Sequence, residues 1–126
     1  MTILTISAAQ RTPEINFDFE TNTFLMRGES YPEDIKDFYG PPIMQLTEHL
    51  EGLENEKVHF TFEFIYFNSS TAKIIMNLFD LLDSTAERGN TVTINWAFAP
   101  DDDTMEELGE EFCEELKHAT FTLLAR

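Results

Sequence analysis

A chain of 126 residues is long enough to form one domain whose folding removes about two thirds of the unfolded surface from water, so stability requires neither a disulfide nor a metal. Its single cysteine, Cys113, excludes an intrachain bridge and fits a reducing, cytoplasmic setting. With 24 Asp plus Glu against 8 Lys plus Arg, the net charge of −16 repels phosphate backbones and anionic lipid, which argues against nucleic acid or membrane as a partner.

The opening MTILTISAAQRTPE lacks a basic n-region, and its apolar stretch is too short for a signal peptide or a membrane span. Within it Leu4-Thr5-Ile6 predicts a short strand. Glu14 to Phe19 and Thr23 to Arg27 predict a hairpin turning at Glu20-Thr21-Asn22. Ser30 and Glu33 match the S-x-x-E capping box and Pro32 suits a first helical turn, so a helix should follow. Gly40-Pro41-Pro42 should interrupt it, with a second helical piece running to about Leu50 and stopping at Gly52. From Val58 the even positions Val58, Phe60, Phe62, Phe64 and Tyr66 alternate with His59, Thr61 and Glu63, a strand with one buried face. Ile65 and Phe67 break the alternation, which predicts that the strand passes into the centre of the sheet, covered on both sides. Between Ser69 and Arg88 the polar residues recur every three or four positions, leaving a wide apolar face of Ile74, Ile75, Met76, Leu78, Phe79, Leu81 and Leu82 on a helix ended by Gly89. A strand with Trp96 over Thr91 to Phe98, an acidic helix over Asp103 to Leu116 and a strand over Thr120 to Leu124 complete the pattern. No linker or repeat divides residues 1–126, so the expectation is one α/β domain, a mixed β-sheet with crossover helices.

The segment Phe64-Ile65-Tyr66-Phe67-Asn68-Ser69-Ser70-Thr71-Ala72-Lys73 carries the most chemistry. A strand passes through a hydroxyl-rich turn straight into a long helix. There the unpartnered N–H groups and the dipole favour an anion such as a phosphate on a hydroxyl. Lys73 adds a charge within about one turn, and Asn68 can cap the helix. Asn, Ser and Thr are equally favoured caps when nothing is attached to them, so spacing alone reads first as capping.

The remaining candidates have structural readings. Asp101-Asp102-Asp103 lacks the ligand spacing of a calcium loop and reads as a helix cap. The six glutamates between Glu106 and Glu115 read as a solvated face, with contact to a basic partner as the lesser alternative. His49, His59 and His118 are scattered and Cys113 lies beside Phe112, giving neither a metal cluster nor a Cys-His nucleophile. No Gly-rich phosphate cradle or acid-base pair supports a small-molecule enzyme, and no cofactor is expected. Trp96 and Phe98 read as core, and Tyr31 as packing on the sheet.

Four motifs in this order, RGESYPED with Ser30-Tyr31-Pro32-Glu33, Tyr66-Phe67-Asn68-Ser69-Ser70 leading into AKIIMNLFDLLD, Ile94-Asn95-Trp96, and Glu107-Leu108-Gly109-Glu110-Glu111-Phe112, resemble the SiaC family of bacterial regulatory phosphoproteins over nearly the whole chain. The strand-Asn-Ser-Ser-helix element is more distantly similar to that of anti-sigma factor antagonists, which implies a STAS-like fold. Glycine does not follow the serine pair here, so that kinship is one of fold more than motif. The resemblance implies a partner-switching adaptor in c-di-GMP signalling and not an enzyme. A Ser/Thr protein kinase phosphorylates it, a PP2C-type phosphatase restores it, and the unphosphorylated form binds and activates a diguanylate cyclase. Carried over by position, the acceptor is Ser69. The best-known family member has Thr-Ser-Ser where this chain has Ser-Ser-Thr, so Ser70 and Thr71 stand as alternatives. Asn68 and Lys73 would surround the phosphate, and the Tyr31-Pro32-Glu33 loop would lie near the switch. The second reading is an antagonist that sequesters a kinase-type anti-sigma factor.

Overall fold

Asn22, at φ 55°, turns the chain between β2 (Glu14–Asp18) and β3 (Thr23–Ser30), and β1 (Ile3–Ile6) pairs antiparallel with the outer side of β2. After this meander the chain alternates: α1 (Ile35–Glu51), β4 (Lys57–Phe67), α2 (Ser69–Glu87), β5 (Thr91–Phe98), α3 (Asp103–Cys113) and β6 (Thr120–Ala125). These elements come from a computed structural model that describes residues 3–126. The six strands lie side by side in sequence order, with β3 through β6 parallel. The mixed sheet with crossover helices expected from the sequence is therefore present.

Consecutive parallel strands joined by crossovers of one hand place all three helices on one face of the sheet. Phe24, Met26, Val58, Phe60, Phe62, Val92, Ile94 and Trp96 point to that face and are buried. Among the described residues no layer covers the opposite face. It carries exposed or half-buried polar side chains such as Thr61, Asn95 and Thr122, and the ion pairs Arg27–Glu14 and Arg126–Glu63, each at 2.8 Å. β4 does lie in the interior of the sheet, between β3 and β5, but the expectation that it is covered on both sides is wrong. A central strand here is buried on one face only, which is why it alternates so cleanly.

Two further expectations fail in α1. Ser30 does not cap it; Asp34 does, its Oδ1 accepting from Asp37 N at 3.0 Å, while Ser30 ends β3 and is fully buried. Nor do Gly40-Pro41-Pro42 break the helix, which runs through both prolines to Gly52. Each proline removes one helical hydrogen bond, but Gly40 has no Cβ to collide with the Pro41 ring. Burial of Tyr39, Pro42, Leu46 and Leu50 against the sheet offsets the rest, at about 1.5 to 3 kcal/mol for each large apolar side chain.

Behind β5 the core is aromatic. The Trp96 ring lies within 6.3 Å, centroid to centroid, of Phe62, Phe67, Phe79 and Phe112, and its Nε1–H donates to Met105 O at 2.9 Å. The acidic helix ends at Cys113, a turn earlier than expected, so Leu116 packs from the following loop. Burial pushes the Cys113 thiol up, with Glu114 and Glu110 adding to the effect, so it is a poor nucleophile.

Asp83 on α2 fixes that loop. Its carboxylate accepts backbone N–H bonds from Lys117, His118 and Ala119 at 2.8 to 3.2 Å. Burial alone would push the Asp83 carboxyl up, but these donors and His118 outweigh it and hold it below the usual carboxylate range. A carboxyl depressed on folding contributes stability that is complete above its unfolded value, about 3.9, and is lost as pH falls through the folded value. Asp83→Asn should lower stability by about 1 kcal/mol at neutral pH. The deficit should shrink in urea titrations as pH falls through the folded value, where the parent carboxyl becomes protonated too.

Candidate functional site

The β3–β4 register slips between Gly28 and Glu29: Gly28 pairs with Phe64 but Glu29 pairs with Tyr66, leaving Ile65 as an extra residue. Such a bulge re-aims the side chains that follow it. Gly28, at φ +122°, adopts a conformation that glycine alone enters easily. Ile65 and Tyr66 consequently both face solvent, at 70% and 51% exposure, and Phe67 turns back to pack on Phe64 and Trp96. Tyr66 is therefore not the last buried residue of the alternation, as its even position suggested.

One residue later Asn68 caps α2, its Oδ1 accepting from Thr71 N at 3.0 Å while its own N–H donates to Ser30 O at 3.1 Å. Ser69 and Ser70 follow on the first turn, both exposed. Helix geometry leaves their N–H groups without intrahelical acceptors. The first turns of α1 and α3 carry acidic residues, Asp37 in one and Asp103 with Glu106 in the other, whereas the first turn of α2 carries none. In so acidic a chain the positive end of this dipole is left without a negative side chain. Lys73, exposed one turn on, makes no ion pair among the described residues.

Thr71 is different. It is fully buried, its Oγ1–H donates to Ser30 O at 3.1 Å and its oxygen lies 2.8 Å from Ser30 Oγ. Of the three candidate hydroxyls it is the enclosed one, held between α2 and β3 while Ser69 and Ser70 are exposed. Ser30 Oγ also meets Tyr39 OH at 2.6 Å, so three buried hydroxyls tie β3, α1 and the first turn of α2 together. Burial pushes the Tyr39 phenol up to about 12, against the hydrogen bonds from Ser30 and Thr71, so the tie stays uncharged at physiological pH.

The loop after β3 lies beside this turn. The Tyr31 and Tyr66 rings meet edge to face at 5.8 Å, Pro32 is half-buried, and exposed Glu33 pairs with Arg11. Tyr31 thus packs on Tyr66 near the serine turn, while Pro32 and Glu33 lie toward the β1–β2 connection, in a cleft shared with Ala9 and Arg11. The residues that sequence reasoning missed are Ile65 and Tyr66 as exposed surface, and Ser30 and Tyr39 as its buried support. The break in alternation at Ile65 was the available signal.

Asp102 caps α3, accepting from Met105 N at 3.0 Å. Among the described residues no group of three or more His, Cys, Asp or Glu is arranged to hold a metal ion, and no helix is long and apolar enough to cross a membrane.

The profile of the SiaC family regulatory phosphoprotein matches residues 6–126. A Pseudomonas aeruginosa (strain UCBPP-PA14) protein is 29% identical over 115 residues, covering 91% of this chain and 90% of that one. The crystal structure of apo-SiaC from Pseudomonas aeruginosa superposes with a TM-score of 0.88 at 30% identity, over 99% of this chain and 100% of that one. SiaC in its complex with the diguanylate cyclase SiaD, which it activates, superposes with a TM-score of 0.91 at 28% identity, over 98% and 99% of the two chains. With its whole fold and nearly its whole sequence matched, the chain belongs to the SiaC family of regulatory phosphoproteins, and it is a regulatory protein and not an enzyme.

Proposed function

We propose that this protein is a cytoplasmic partner-switching adaptor whose unphosphorylated form binds and activates a diguanylate cyclase, and that a Ser/Thr kinase and a PP2C-type phosphatase set its state at Ser69. The observation that carries this reading is the turn itself. Two serines stand exposed on the acid-free first turn of α2, beside the exposed apolar surface of Ile65 and Tyr66. A phosphate there meets helix N–H groups that stabilise it by about 0.3 to 1 kcal/mol, so the fold tolerates it. A partner seated on Ile65 and Tyr66 would have to bury the same dianion, which costs several kcal/mol unless a cation meets it. The complex of SiaD with SiaC supports a diguanylate cyclase as that partner.

Intact-mass and fragment-mass analysis of protein purified from its own host, beside a Ser69→Ala form, tests the acceptor. One phosphate is expected on the fragment containing Ser69, and none on the substituted protein. A phosphate retained by Ser69→Ala would transfer the assignment to a neighbouring hydroxyl, Ser70 or Thr71.

A further inference from the structure

Helices α2 and α3 diverge to leave a groove of about 490 Å³ on the helical side of the molecule. Met76, Phe112 and Leu116 form its apolar floor. Met76 was expected on the buried face of α2 but is 54% exposed. It is a flexible, polarisable side chain of the kind that adapts to incoming apolar groups. Asp80 from α2, Glu111 from α3 and Glu115 from the loop after it line the rim, outnumbering the one cation among the lining residues, Lys117, and none of the three carboxylates makes an ion pair among the described residues. Asp83 lies deeper and is committed to the backbone of residues 117–119.

We propose that this groove is a second docking surface, separate from the serine turn, and that it takes a basic amphipathic helix of another protein. An apolar floor between carboxylate rims matches a helix with leucine-like residues on one stripe and lysine or arginine beside it. The same rim repels anionic lipid and nucleic acid. A second copy of this chain does not fit, because α1 and α2 contain one lysine each, Lys36 and Lys73, and α3 contains no Lys or Arg. Met76 lies about 10 Å along α2 from Ser69, with Lys73 between them. Charge added at the turn therefore reaches the groove weakened by about one Debye length of screening, and its negative sign does not oppose a basic helix.

The probe is a synthetic amphipathic peptide of leucine and lysine, roughly 18 residues or five helical turns long. A scrambled peptide of the same composition, with no apolar stripe, is the control. Both are titrated into the isotope-labelled full chain and followed by amide and methyl NMR. Saturable shifts centred on Met76, Phe112 and Leu116 are expected for the amphipathic peptide only. They should weaken about tenfold or more in an Asp80→Lys, Glu111→Lys, Glu115→Lys variant with unchanged melting temperature, and persist in Ser69→Asp. Equal binding of the scrambled peptide, shifts spread over the acidic surface, or undiminished binding by the triple variant would overturn the proposal. None of these readouts involves the cyclase, so docking at the groove stands or falls independently of the proposed function.

Discussion

Ser69→Asp protein should melt within a few degrees of the parent yet bind the diguanylate cyclase about tenfold or more weakly, and stoichiometric phosphate should weaken binding about a hundredfold or more. The two halves of this result come from different links of the chain of cause. Ser69 is exposed and its side chain makes no hydrogen bond that holds the fold together. Added charge therefore meets only water and the helix N-terminus, where it is mildly stabilising. In the complex the same charge would be desolvated beside Tyr66 and Ile65. About 2.7 kcal/mol of that penalty already gives a hundredfold loss, and an uncompensated buried charge exceeds it. Calorimetric melting and binding titration on one sample check both halves. Unfolding of the variant, or full-strength binding, would be the wrong outcome.

Gly109→Ala should destabilise the fold by about 2 kcal/mol, although alanine is the better helix former by about 1 kcal/mol. Gly109 is buried where α3 crosses β5. A Cβ there would stand 2.5 Å from Trp96 Cδ1 and 2.7 Å from its Nε1, well inside van der Waals contact. The ring cannot swing aside, since phenylalanines surround it and Met105 O holds its Nε1–H. Either the helix moves off the sheet or the indole loses its hydrogen bond. For a chain of this size the penalty lowers the melting temperature by about 8 °C. A melting temperature equal to or above the parent's would show that α3 is free to shift.

Most elements were legible because they obey a simple period. The alternation from Val58 to Phe64, the three-and-four spacing after Ser69 and the Gly89 stop each correspond to an observed element. The failures occur where tertiary structure overrides a local rule. Ser30 and Glu33 satisfy a capping pattern, yet the hydroxyl of Ser30 is worth more bonded to Tyr39 and Thr71 in the interior. Pro41 and Pro42 are helix breakers by rule, yet the faces that α1 buries keep it continuous. The bulge at Ile65 depends on pairing between strands more than thirty residues apart, which no local pattern contains. It inverts the sense of Tyr66, and with it the surface that frames the serine turn. Ser69, Asn68 and Lys73 are singled out by the strand-to-helix junction and the family resemblance, and the structure places them at the cap and first turns of α2. That Thr71 is enclosed while its two neighbours are open follows only from packing.

Control of cyclase engagement by negative charge on one exposed turn is tested most directly by measuring cyclic-di-GMP production by the purified cyclase against increasing amounts of this protein, unmodified and then stoichiometrically phosphorylated. Turnover that rises to saturation with the unmodified form and stays at the basal rate with the phosphorylated form is the predicted result. Equal activation by both forms, or by neither, would contradict it.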